Sequence, residues 1–328
     1  MNTPSEPLNR IDELVSLLAT SSETADTHAL AGELGLAWLE LYERDGDEDA
    51  LRASVGCLRR TIASATDHPH RTRWFLHLGL GYAERGRRQQ SVVDYHEAIN
   101  WLSGLYAGSP GDCAERPRAL AILGELCWER YWLVRHARNV DVVRALAEVD
   151  RLLARIGGFL AAPPDPDDVC AIRLVIGYAY LERYELTGDP SNLDRGIDLL
   201  ATASIWDLPL SDIRRCQAGS ELVDALRQQS ILYDSIRTLD RAITAALRTL
   251  EGGPIECLAW LLLHRYSASA AFNRFRARGA TEDLDLAYRC WQPLLPLGMD
   301  PGSAQEYEEL LRHRAAAATT PTEPPPWL

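Results

Sequence analysis

A chain of 328 residues exceeds what one compact core usually serves, so two domains or an elongated repeat array are expected. Its formal net charge of −13 and pI near 5.1 exclude general nucleic-acid binding, which draws on clustered cations. All 34 cationic residues are arginine, which excludes Schiff-base lysines, a pyridoxal phosphate anchor and the P-loop lysine.

The apolar content is 46%, but no run approaches the roughly 18 apolar residues of a membrane helix, so no membrane association is expected. Residues 1–26 show neither a basic leader nor an apolar signal core; they read as a polar-faced capping helix over 8–19, and the protein is expected to be cytoplasmic. Seven cysteines without a C-x-x-C pair argue against a disulfide framework or a zinc site and fit buried free thiols.

From residue 27 onward a period emerges. Gly35, Gly79, Gly124, Gly177, Val223 and Ala268 hold equivalent places, 44, 45, 53, 46 and 45 residues apart. Seven residues after this anchor stands an aromatic (Tyr42, Tyr131, Tyr184, Phe275), and eleven after it a glycine (Gly46, Gly188, Gly279). Sixteen after it a second apolar pattern begins at Leu51, Val140, Leu193, Leu239 and Leu284. Apolar steps of three and four on both sides of the glycine predict a helix, a glycine stop, a short polar loop and a second helix. The second unit reads as four loop residues short, joined through "AERGRRQQS", and the fifth through "SILYDSIRT". The cysteines share the register: Cys57 and Cys290 fall 22 after the anchor, Cys170 and Cys216 seven before it, which marks them as packing residues. After the sixth unit, 293–318 reads as a second capping segment with a helix over 303–318, and 319–328 ("TTPTEPPPWL") as a proline-rich tail expected to lack fixed structure.

In "FLHLGLGYAERGRRQQSVVDYHEAI", residues Phe75, Leu78, Gly79, Tyr82, Gly86, Ser91, Tyr95, Ala98 and Ile99 resemble the tetratricopeptide repeat, and the remaining units resemble its longer variant common in actinobacterial proteins. The resemblance covers about residues 27–292. It implies an all-α, right-handed superhelix of six helical hairpins with capping helices at both ends. It also implies a partner-binding groove lined by positions six and three before the anchor and one, four and five after it. Those positions bring forward Glu40, Glu84, Glu129 and Glu182, enriched by Glu125 and Asp224, with Arg73 and Arg118, and with Trp128, Tyr178 and Phe272 as aromatic anchors. Arginines follow the glutamate column at Arg85, Arg130, Arg183 and Arg274, so ion pairing between units competes with ligand binding as the role of these charges.

The expected function is therefore a non-catalytic protein-interaction scaffold or regulatory module, with a protein or peptide partner of basic character. In the resemblance, such arrays accompany a CHAT protease or a signalling NTPase, here separately encoded. A small-molecule or peptide sensor using the same groove is the alternative, and an enzyme using the groove carboxylates the second alternative. No cofactor and no metal are expected; Asp67, His68, His70 and His77 could in principle hold zinc but lie in an inter-unit linker. The acid-rich stretch 33–49 and the basic stretch 257–279 suggest weak head-to-tail self-association.

Overall fold

A computed structural model describes residues 6–21, 25–136, 141–161, 166–203, 205–209, 212–251, 253 and 257–319. Val140, the start of the linker at 162–165 and the tail at 320–328 lie outside them. The described residues are helical throughout, and the chain divides into two compact units, Met1–Gly188 and Asp189–Leu328.

The first unit holds α1 (Glu6–Thr20), α2 (Ala25–Asp45), α3 (Glu48–Ser64), α4 (Arg71–Gln89), α5 (Val92–Gly108), α6 (Glu115–His136), α7 (Val142–Ala161) and α8 (Pro166–Thr187). Helices adjacent in sequence pack at α2–α3, α4–α5 and α7–α8, and α2, α4, α6 and α8 form a row in which each touches the next; among the described residues the hairpin expected of α6 with α7 is not formed, because α7 packs against α8 and α5 instead. α1 lies against α2. The second unit holds α9 (Pro190–Ala201), α10 (Ile213–Tyr233), α11 (Ile236–Leu250), α12 (Leu258–Arg278), α13 (Thr281–Trp291) and α14 (Pro301–Thr319), with α10–α11 and α12–α13 as hairpins and α14 against α13.

In the first two repeats a glycine anchor sets the closeness of the paired helices, whereas at Gly124 a Cβ would meet nothing within 4 Å. A Cβ placed on Gly35 would lie 2.7 Å from Cγ of Leu58, and one on Gly79 would lie 2.6 Å from Cγ of Leu102, so each leucine rests on bare backbone. Both leucines are fully buried and both stand 23 residues after their anchor. In the fifth unit the same register pairs a larger anchor, Val223, with a smaller residue, Ala246. Volume is thus redistributed across the pair while the packing stays dense. The buried Ser54 hydroxyl adds a 2.7 Å hydrogen bond to the Gly35 carbonyl across α2–α3.

The turns repeat as closely as the helices. Residues eleven after the anchor adopt the left-handed conformation in five units: Gly46 (φ 72°), Gln90 (φ 47°), Gly188 (φ 68°), Asp234 (φ 47°) and Gly279 (φ 73°). Each donates its N–H to the carbonyl seven after the anchor, namely Tyr42, Gly86, Tyr184, Ser230 and Phe275. The next residue begins the following helix, and Asp47, Ser91, Asp189 and Ser235 cap it by accepting a backbone N–H through the side chain. The second unit is therefore not short: α4 runs through "AERGRRQ", and the whole turn is Gln90–Ser91. Arg85–Asp94 and Arg274–Asp283, each six and fifteen after its anchor, form ion pairs across two of these turns.

Two outcomes follow. Gly79→Val should cost about 1–3 kcal/mol through overpacking, and adding Leu102→Ala should recover part of that loss, although Leu102→Ala alone costs roughly 2–5 kcal/mol; urea denaturation of the three variants reads the coupling directly. Gln90→Gly should stabilise by about 1 kcal/mol, because glycine adopts the left-handed turn without the Cβ penalty; a lower melting temperature for this variant would contradict the turn assignment.

Candidate functional site

In the first unit the expected glutamate column is present but graded. Side-chain exposure falls from 57% at Glu40 (α2) to 34% at Glu84 (α4), 26% at Glu129 (α6) and 2% at Glu182 (α8). The three outer carboxylates are held by groups from neighbouring helices. Glu40 Oε2 lies 3.5 Å from Nη1 of Arg10 in α1, whose Nη2 meets Glu33 at 2.7 Å. Glu84 accepts the Tyr42 hydroxyl at 2.6 Å, and Arg88 donates to that same hydroxyl oxygen. Arg87 Nε is shared between the two oxygens of Glu129, at 3.1 and 3.0 Å. Burial and the Glu84 carboxylate push the Tyr42 phenol above its ordinary range.

Between α2 and α4 this polar network borders a cleft of about 340 Å³, with Leu39 and Leu80 among its lining residues and Tyr42, Glu84, Arg87 and Arg88 supplying polar groups. Arg73 and Arg118 are exposed and Glu125 is half-buried. Arg73 pairs with Glu33 at 3.3 Å.

Five of the expected groove residues do not reach a surface. Trp128, Tyr178 and Glu182 in the first unit, and Asp224 and Phe272 in the second, are 8%, 2%, 1%, 0% and 0% exposed, and so offer nothing to a partner. The reason is the packing of α6, α8 and α12, which carry buried residues around most of their circumference. Asp224 instead accepts N–H groups from Arg227 and Gln228 within α10.

Glu182 belongs to a buried ionisable cluster built from four consecutive helices. Arg130 Nε of α6 lies 3.3 Å from Glu182 Oε1, with both side chains almost wholly enclosed. His96 Nδ1 of α5 lies 2.6 Å from Glu148 Oε2 of α7, and Arg151 Nη2 meets the other Glu148 oxygen at 3.0 Å. Burial, joined by the positive charges of Arg130 and Arg151, holds the His96 imidazolium down to about 3. Burial pushes Glu182 up to about 7 against the pull of Arg130, and raises Glu148 as well. With Glu182 sealed and taken by Arg130, the adjacent rungs Glu129 and Glu182 do not present two carboxylates to one bond.

Elsewhere, His68 stacks on Trp74 with ring centroids 4.5 Å apart, and among the described residues no three His, Cys, Asp or Glu side chains gather as metal ligands. Among the thiols, Cys216 Sγ and Cys257 Sγ approach to 3.9 Å, a proximity across 41 residues that no local spacing announces. No helix among the described residues is long and apolar enough to cross a membrane. Compared with known protein families and curated proteins, the chain matches no family model and no curated sequence.

The cluster makes stability depend on pH. His96 has a folded pKa depressed below its ordinary value near 6.5, so its contribution is complete above about pH 6.5 and is lost as pH falls toward 3. Glu182 has a raised folded pKa, so its contribution is complete below about pH 4.5 and is lost as pH rises through 7. Urea midpoints measured from pH 4 to 8 should therefore fall more gently on the acid side in His96→Gln than in the parent chain. Identical acid slopes in the two proteins would contradict the buried neutral histidine.

Proposed function

We propose that this chain is a non-catalytic interaction module of the tetratricopeptide-like kind, its hairpins wound within each unit as right-handed superhelical repeats. Support comes from the register of anchor and left-handed turn residue that five of the six repeats keep, four of them with a side-chain N-cap, a pattern that stacked helical repeats require and that unrelated helix pairs have no reason to keep.

The partner-binding surface in this reading is the α2–α4–α6 face of the first unit. The observation that carries it is the column of exposed Glu40 and half-buried Glu84 and Glu129 beside the 340 Å³ cleft between α2 and α4. Because Tyr42, Arg87 and Arg88 already hold two of these acids in fixed rotamers, the surface is pre-organised and little side-chain entropy is lost on binding. Such a face suits an extended polar segment of a protein, whose basic side chains meet Glu40 and whose apolar groups enter beside Leu39 and Leu80. By the sequence resemblance, a separately encoded signalling protease or NTPase is a partner of the right class.

The test is photo-crosslinking in the native host from a probe placed at Leu80. A partner captured by the parent chain should be lost at least tenfold when Glu40, Glu84 and Glu129 are all alanine, and retained when Asp49 and Arg52 on α3 are replaced. Its capture should weaken with added salt, as charge pairing at an exposed face requires. Equal capture by the triple variant and the parent would overturn this surface.

A further inference from the structure

The second unit contains a cleft whose chemistry differs from that of the acidic column. α9 has 12 residues, against 15 in α11 and 17 in both α3 and α5, with α13 similarly short at 11. The chain then bends through a short 3₁₀ turn, Ile205–Asp207, and Trp206 comes to line a notch bounded by α10 and α11. The notch measures about 320 Å³, at the lower end of the roughly 300–1,000 Å³ typical of small-molecule sites.

Its wall is built rather than incidental. Arg215, only 6% exposed, donates Nη1 to the carbonyls of Trp206 (2.9 Å) and Leu208 (3.2 Å) and Nη2 to that of Arg248 (2.8 Å). One buried guanidinium thus ties the Trp206 turn to the last turn of α11. The Arg248 guanidinium rests 4.8 Å from the indole centroid, which fixes a cation beside an aromatic face.

The charge balance in the notch is positive although the whole chain is acidic. The acid that lines it, Asp240, is already saturated: Arg274 Nη1 approaches at 2.8 Å and Arg278 donates twice, at 3.0 and 2.6 Å, which holds the carboxyl below its ordinary range. Arg241 and Arg248 line the same notch, and among the described residues neither forms an ion pair. Leu222 and Leu226, each 2% exposed, close the notch from beneath, and the apolar groups that reach its opening are exposed Ala201 and half-buried Trp206.

We propose that this notch is a binding site for a small aromatic carboxylate, its ring beside Trp206 and Ala201 and its carboxylate between Arg241 and Arg248. An apolar floor alone would accept any ring; two guanidiniums without acidic partners select the anion, and arginine's planar donors match a carboxylate. This site is independent of the acidic column in the first unit, and either can fail without the other.

Isothermal titration of the full chain with 2-naphthoate should give a dissociation constant of roughly 0.1–1 mM, the range suited to a ligand of about thirteen heavy atoms. 2-Naphthamide, with the same ring and no charge, should bind at least tenfold more weakly. Arg241→Gln/Arg248→Gln should lose binding by a similar factor, while Arg52→Gln in the first unit leaves it unchanged. Both arginines are exposed, so these variants retain the fold, and the amide comparison needs no substitution at all. Equal affinity for the amide, an unaffected double variant, or no heat with naphthoate at 5 mM would each overturn the proposal. So would binding only of an acetylated tetrapeptide ending in tryptophan, which would assign the notch to a peptide terminus instead.

Discussion

The contact on which the first unit most visibly depends is a leucine resting on a glycine backbone. At Gly35–Leu58 and Gly79–Leu102 the missing side chain lets two helices approach until the leucine fills the space a Cβ would take. This close approach excludes water from both helices and buries each leucine completely, an apolar gain of about 1.5–3 kcal/mol per side chain relative to exposure. In the fifth repeat the same two positions are held by Val223 and Ala246, both buried. The spacing of 23 residues leaves room for a fixed number of helical turns and one left-handed residue, and the recurring turn geometry follows from it.

Once the hairpins are set, the distribution of charge is largely a matter of geometry. Arginines just beyond the anchor are drawn into structural work: Arg85 and Arg274 brace turns, Arg183 reaches Asp150, and Arg130 is enclosed with Glu182. The glutamate column begins at the surface in α2 and ends in the interior at α8, so a single sequence position yields a solvent-exposed acid at one end and a buried ionisable group at the other. In the second unit the arginines of α12 saturate Asp240, and those of α11 that remain are therefore open to anions. Both candidate sites arise from this accounting.

The hairpins α2–α3, α4–α5, α10–α11 and α12–α13 were legible in the sequence because a small residue, an apolar stripe and a turn residue recur together there, whereas the expected α6–α7 hairpin was misread, since α7 packs against α8 and α5. The turns at Gln90 and Asp234 were less legible, since the sequence signal is glycine while the backbone requirement is only a positive φ, which these residues also meet. Burial of Trp128, Tyr178 and Phe272 escaped for a different reason. Helices packed on more than one side are apolar around most of their circumference, and periodicity then does not say which face remains open. The Trp206 notch depends on where α9 stops and on a buried arginine binding three carbonyls, neither of which leaves a local pattern.

The central claim is that the two helices of a hairpin are one packed element joined at the anchor. Native-state hydrogen exchange on a chain carrying Leu102→Ala tests it most directly. The account predicts that protection falls together in α4 and α5, by the same free energy in both, while α7 and α8 keep theirs. Loss of protection confined to α5, with α4 exchanging as in the parent chain, would contradict it.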